Sequence, residues 1–155
     1  MSAQVVADDI LKVAKARGIS LTPMQLMKLV YISYGWYLAM KGKRLFSDRI
    51  EAWKYGPVIP NLYQVTKRFG SNVVPADLVA NGPISNEEMR SFYESIVENY
   101  GKFSGIALSN LTHRQGTPWQ RVFQPDVMGI EIPDELIREH YQQGLDARRA
   151  AAAAS

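Results

Sequence analysis

One segment, residues 23–40, constrains the fold of this chain most, because it has the pattern of a helix with two apolar faces. Its remaining stripe ends in Gly35 and Ala39, small residues that let another backbone approach closely. A helix that is apolar on two sides has to be buried on both. We therefore predict a mainly α, compact single-domain fold around this central helix. The two apolar faces comprise Leu26, Leu29, Val30, Ser33, Trp36, Tyr37 and Met40, and Met27, Tyr31, Tyr34 and Leu38.

Short helices with recognisable caps account for most of the remaining chain. The pattern Thr-Pro-x-Gln occurs twice. It is a capping box with proline at the first helical position. A serine with glutamate three residues later gives a third cap before the clearest amphipathic stripe, residues 89–100. The three caps are Thr22-Pro23-Met24-Gln25, Thr117-Pro118-Trp119-Gln120 and Ser85-Asn86-Glu87-Glu88. Further helices are predicted at residues 6–17, 60–70 and 106–112 and from Pro133 onwards.

A small β-hairpin insertion is predicted between the second and third helices. Residues 45–55 are rich in β-branched and aromatic side chains, with Ile50, Ala52 and Trp53 as the best candidates for pairing. Gly56-Pro57 is expected to break the strand. Residues 129–132 alternate like a brief strand, and residues 70–84 have the composition of a long surface loop.

The length of 155 residues suits one domain with a substantial core. We place that domain at residues 1–145. Residues 146–155 form an alanine-rich tail, which we expect to be disordered.

The absence of cysteine excludes disulfides, thiol catalysis and cysteine-based zinc sites, and it fits a cytoplasmic protein. No stretch approaches the 18 apolar residues or so of a membrane span, so no membrane partner is expected. Two histidines, His113 and His140, are too few and too far apart for a metal site. Nucleotide-binding and hydrolase motifs are missing as well. We therefore expect no catalytic residue, no metal and no cofactor.

A mild basic bias leaves a nucleic-acid partner open. The formal net charge is +3 and the sequence pI is about 9.2, with the cations spread along the chain. Nucleic-acid binding usually needs a denser basic patch. A DNA-binding function is therefore the alternative to binding another protein.

Two short clusters carry the candidate site. Residues 49–58 combine Trp53, Lys54 and Tyr55 with the turn Gly56-Pro57. They either form a partner-binding patch or only pack on the second helix and set a turn. The second cluster is Thr112-His113 followed by Pro118-Trp119, where the histidine either closes a helix or faces a ligand, and the tryptophan fits a core position.

These residues resemble the Panacea-domain family, which includes SocA-like and GepA-like phage-associated proteins. The resemblance covers residues 5–142, and EAWKYGPV, residues 51–58, is its most specific part. It is carried by Lys28-Leu29-Val30-Tyr31, Gly35-Trp36-Tyr37-Leu38, Leu45-Phe46, residues 50–58, and Thr112-His113 with Pro118-Trp119.

The resemblance implies an antitoxin that neutralises a protein toxin, encoded nearby, by direct binding. Some relatives act as adaptors that deliver the toxin to a cytosolic protease, so neutralisation by proteolysis is implied as a second mode. The shared positions give the candidate partner-binding residues, although shared positions also serve the core. These candidates are Trp53, Lys54, Tyr55, Gly56, Pro57, His113 and Trp119.

Overall fold

The structure is a computed structural model that describes residues 1–78 and 86–154. Within these residues it is mainly α-helical, with a small antiparallel sheet inserted after the second helix. The elements are α1 (Ala3–Ala16), α2 (Pro23–Lys41), β1 (Glu51–Trp53), β2 (Gly56–Val58), α3 (Pro60–Thr66), a 3₁₀ turn (Lys67–Phe69), α4 (Glu87–Tyr100), α5 (Gly105–His113), α6 (Pro118–Val122), β3 (Ile130–Glu131) and α7 (Asp134–Ala154). The predicted fold class is confirmed.

Helix α2 is the centre of the fold, as its two apolar faces predicted. It packs against α1, α3, α4, α5, α7 and strand β2, and it is buried almost continuously from Leu26 to Trp36. The small-residue stripe receives α7: a β-carbon built on Gly35 would lie 2.2 Å from the ring of Tyr141. The central helix is thus enclosed because α7 fits against the glycine.

The starts of α2 and α6 follow the caps that the sequence predicted. The capping box at Thr22 and Gln25 is complete, and the Thr117 hydroxyl accepts a hydrogen bond from the Gln120 amide. For α4 the cap is Asn86, whose side chain accepts from the Met89 amide. Ser85, to which the pattern assigned that cap, lies outside the described residues.

The sheet corrects the predicted position of the strand pair. Its order is β2-β1-β3, with Ala52 opposite Pro57 in β2 and opposite Ile130 in β3. Residues 45–50 are not strand, and Gly56-Pro57 pairs with β1 instead of breaking the hairpin. Proline is accommodated because β2 is an edge strand, where a missing amide hydrogen costs little.

Helix α7 continues through the alanine-rich segment to Ala154. The proposed division of the chain after residue 145 stays a prediction. The end of the predicted surface loop, residues 79–84, lies outside the described residues. In the described part of the chain, no helix is both long and apolar enough to cross a lipid bilayer.

Candidate functional site

The tip of the β1–β2 hairpin presents two side chains to solvent. Lys54 and Tyr55 form the turn between the strands, and Tyr55 is 64% exposed. The Lys54 ammonium lies 5.4 Å from the centroid of the Tyr55 ring, a cation–π arrangement. The backbone closes the turn at Gly56 with a φ of +118°, a conformation that favours glycine.

Three side-chain donors hold this turn from behind, at alternate carbonyl groups. Trp119 Nε1 donates to the carbonyl of Trp53 at 2.5 Å, and Ser109 Oγ donates to that of Tyr55 at 2.6 Å. Lys28 Nζ donates to the carbonyl of Pro57 at 2.9 Å. The donors come from α6, α5 and α2, so three helices fix the backbone that displays Lys54 and Tyr55.

The lysine among these donors is buried. Lys28 is 3% exposed and takes part in no ion pair within residues 1–78 and 86–154. Burial lowers its pKa from 10.5 to about 8, because the charged form loses hydration. A β-carbon on Gly56 would lie 3.0 Å from Lys28 Nζ. The glycine therefore leaves the space that the ammonium needs beneath the turn.

His113 and Trp119 also lie behind the turn. Trp119 is buried and stacks on Phe123 with 4.5 Å between ring centroids, and its centroid lies 5.2 Å from that of the nearly perpendicular His113 ring. His113 Nδ1 is in hydrogen-bonding contact with the carbonyl of Ser109, one turn earlier in α5. The two clusters that the sequence singled out thus meet in space, with the second supporting the first.

Ser109 and His113 do not have the arrangement of a nucleophile and its base. Their Oγ and Nδ1 atoms are 3.4 Å apart, but the serine hydroxyl donates to the Tyr55 carbonyl. The histidine nitrogen is engaged by a backbone carbonyl. The serine hydroxyl therefore connects α5 with the hairpin, and the histidine nitrogen is used within α5. In the described residues, no group of three or more histidine, aspartate and glutamate side chains is placed to bind a metal ion.

A groove of about 370 Å³ opens beside the turn. It lies between the start of α2, the hairpin, and α3 with its following 3₁₀ turn. We call it the hairpin groove. The residues that line it include Pro23, Met24, Met27, Lys28, Trp53, Lys54, Tyr55, Val58, Tyr63, Thr66, Lys67 and Gly70.

The seven predicted site residues therefore divide between surface and interior. Lys54 and Tyr55 are exposed, Trp53 is half-buried and lines the groove, and Gly56 and Pro57 are buried in β2. Three further lining residues, Met24, Tyr63 and Lys67, were not among the predicted site residues. Tyr63 carried a usable signal, because it falls off the apolar stripe of Leu62, Val65 and Phe69 and is left 38% exposed. Its ring centroid lies 5.1 Å from that of Trp53.

The described residues thus form a fold of short helices around one buried helix, with an anchored hairpin turn beside a groove. The family model "Antitoxin SocA-like, Panacea domain" matches residues 26–120. The chain belongs to this family, which confirms the resemblance. The matched segment contains the hairpin, its three anchors, and α3.

Among curated proteins, the chain is similar to Antitoxin SocA of Caulobacter vibrioides (strain NA1000 / CB15N). The two are 26% identical over an alignment 156 positions long, which covers 92% of this chain and 83% of the relative. No solved structure matches the chain.

Proposed function

We propose that this protein is an antitoxin that neutralises a cognate protein toxin by binding it directly through the hairpin turn and the hairpin groove. The anchored turn is the observation that supports this choice of contact surface. Its three carbonyl groups are held by Trp119, Ser109 and Lys28, while Lys54 and Tyr55 point outwards. The family membership and the name of the relative support the antitoxin role.

The chemistry of the turn favours a protein partner. Exposed aromatic side chains next to a groove are typical of the residues that dominate binding energy at protein interfaces. A turn fixed by hydrogen bonds loses little conformational entropy when it binds. Such a surface contributes recognition without any reacting group, which fits an antitoxin that acts by contact.

Co-expression with the product of the adjacent gene tests the proposal. We expect that product to arrest growth alone, the present protein to restore growth, and the two to copurify as a complex that survives gel filtration. An interface of roughly 1,200–2,000 Å² in total would be typical of such a complex. A harmless neighbour, or a toxin that is neutralised without any complex, would contradict neutralisation by binding.

The same experiment separates the two other modes. If the protein is a proteolytic adaptor, the toxin level falls when both are expressed, and it recovers in a host that lacks the relevant protease. If it is a DNA-binding transcriptional regulator of its own operon, it binds the operator DNA without the toxin, and that binding weakens steeply with salt because phosphate contacts release counterions.

A further inference from the structure

We propose that the hairpin groove binds a short extended segment of the protein partner in which one large apolar side chain is flanked by carboxylates. This inference rests on the proposed function and specifies the chemistry of the partner. It is argued from the apolar lining of the groove, the charges at its rim, and the rigidity of the turn that forms one wall.

The groove has an apolar lining that one large side chain can fill. Met24 and Tyr63 remain 41% and 38% exposed, and Trp53, which also lines the groove, is half-buried. Methionine and aromatic side chains adapt to a guest and gain free energy when they are removed from water. The volume of about 370 Å³ is enough for one such side chain together with a few backbone atoms.

The charged residues of the described lining are all positive. The nearby carboxylate of Glu51, which accepts from Trp53 Nε1 at 3.0 Å, is already paired with Arg49. The described lining contains three lysines, Lys28, Lys54 and Lys67, and no aspartate or glutamate. Lys54 lies on the hairpin turn and Lys67 on the 3₁₀ turn, so the two exposed cations come from different walls of the groove. Neither takes part in an ion pair with another described residue. Carboxylates are the groups in a protein partner that complement this rim.

Lys28 adds positive charge below the surface. Its ammonium donates to the Pro57 carbonyl, and no described carboxylate neutralises it. Charges near a low-dielectric wall interact over longer distances than fully solvated charges do. The buried ammonium therefore favours an anionic guest over a neutral or cationic one, even without touching it.

A peptide array tests the predicted chemistry directly. Eight-residue peptides with a central leucine or phenylalanine flanked by aspartate and glutamate are compared with two series, one carrying lysine flanks and one with the central residue changed to serine. We expect the full-length protein to retain the acidic apolar series about tenfold more strongly than either other series. Equal retention of all three series would overturn the inference. Tighter binding of a single-stranded DNA oligonucleotide than of the peptides would also overturn it.

Charge-reversed variants show whether the binding occurs in this groove. Lys54→Glu with Lys67→Glu should lose the acidic series and gain the lysine-flanked series. The matched control, Lys15→Glu with Arg90→Glu, reverses two exposed cations outside the groove and should bind as the wild type does. Circular dichroism melts verify that both variants are folded. An unchanged preference in the folded groove variant would place the binding elsewhere and overturn the assignment.

Zero-length coupling of the toxin complex separates this inference from the proposed function. A carbodiimide joins a lysine amine to a carboxylate of the partner as an amide, with loss of water as the reagent hydrates to its urea. We expect mass spectrometry to find Lys54 or Lys67 joined to an acidic segment of the toxin. A stable, neutralising complex without these links would refute the groove chemistry and leave the antitoxin role intact. If no complex forms, the proposed function fails, and the peptide array still decides the groove.

Discussion

At the scale of single residues, two lysines of the hairpin groove occupy opposite environments. Lys28 is buried beneath the turn and donates to a backbone carbonyl, whereas Lys54 is exposed at its tip. A charge that is removed from water without a carboxylate partner costs stability, and an exposed charge costs almost none. We therefore expect changes at Lys28 to alter folding and changes at Lys54 to alter binding.

The first prediction concerns the exposed pair at the turn. Lys54→Glu with Tyr55→Ala should abolish binding to the toxin and lower the free energy of unfolding by less than about 1.5 kcal/mol, as surface substitutions usually do. A pull-down run beside a circular dichroism melt measures both. Lys15→Glu with Met128→Ala is the matched control, because it changes an exposed lysine and an 87% exposed apolar side chain outside the groove. A folded double variant that still binds would remove the turn from the interface.

The second prediction concerns the proton on Lys28. Its pKa is lowered to about 8 in the folded chain, from an ordinary 10.5. Between about pH 8 and 10.5 the unfolded chain therefore holds more protons than the folded chain, so stability rises with pH in that window. The buried tyrosines oppose this above about pH 10, because burial raises the pKa of Tyr31 and the unfolded chain then releases its proton first.

Urea unfolding should therefore show that the free energy of unfolding of the wild type is higher at about pH 9.5 than at about pH 7, by on the order of 1–2 kcal/mol. Lys28→Met should lack this increase. Comparing the two proteins removes the contribution of the other titrating groups. The same pH dependence in both would show that Lys28 titrates normally. Lys28→Met should also weaken toxin binding at pH 7, because the Pro57 carbonyl loses its donor.

At the scale of elements, the hairpin depends on the helices behind it. Each of its two strands has three residues, and an isolated hairpin of that size is not stable in water. Hydrogen bonds from side chains of α2, α5 and α6 add the stability that two such short strands lack. The stability of the hairpin therefore depends on the helical core, and the rigidity of its turn depends on these three hydrogen bonds.

The third prediction removes one of these donors. Trp119→Phe keeps an aromatic ring against Phe123 but loses the Nε1 hydrogen bond to the Trp53 carbonyl. We expect a loss of about 1–2 kcal/mol of stability. Amide hydrogen exchange at residues 54–56 should become faster, and toxin binding should weaken in parallel. Unchanged exchange at the turn would show that the tryptophan acts only through packing.

His113→Ala provides the contrast at the same place. His113 contacts the Ser109 carbonyl within α5 and donates nothing to the hairpin. Toxin neutralisation should therefore persist unless the melting temperature falls as well. Loss of neutralisation at an unchanged melting temperature would make His113 a contact residue.

Some elements are determined by residues that are close in the sequence and could be predicted, whereas others depend on distant residues. The starts of α2 and α6 follow from caps within four residues, so they could be predicted. The strands could not be placed, because pairing depends on partners far along the chain, such as Ile130 opposite Ala52. Leu45 and Phe46 look like strand residues because they are apolar, but they are buried in the core without pairing. The groove was missed for the same reason, since three separate segments form it.

At the scale of the whole molecule, the contact between α2 and α7 closes the core. The sequence indicated that another backbone approaches Gly35 but gave no sign of which one. The structure places Tyr141 of α7 there, with its ring centroid 6.3 Å from that of Tyr31 and 5.2 Å from that of Trp36. None of the residues found to line the hairpin groove belongs to α7. The α2–α7 contact and the proposed binding groove are therefore separate parts of the fold.

The last prediction uses this separation. Alanine at position 35 would place a β-carbon 2.2 Å from the Tyr141 ring, which neighbouring rings hold in place. Replacing glycine by alanine in a helix gains about 1 kcal/mol in helix propensity, but we expect the energetic cost of overpacking here to be larger. Gly35→Ala should therefore lower the free energy of unfolding by about 1–3 kcal/mol. Gly144→Ala on α7 is the matched control. Its β-carbon would lie 3.0 Å from the outer edge of Trp36, a contact that a small shift relieves, so its effect should stay within about 1 kcal/mol.

Urea unfolding measures both variants, and toxin binding is measured well below their melting temperatures. Because the hairpin groove is formed without α7, folded Gly35→Ala should bind with unchanged affinity. Equal stability of the two glycine variants would show that α7 does not press on α2 as described. Loss of binding by folded Gly35→Ala would show instead that the α2–α7 contact reaches the groove, and recognition would then depend on the packing of the whole domain.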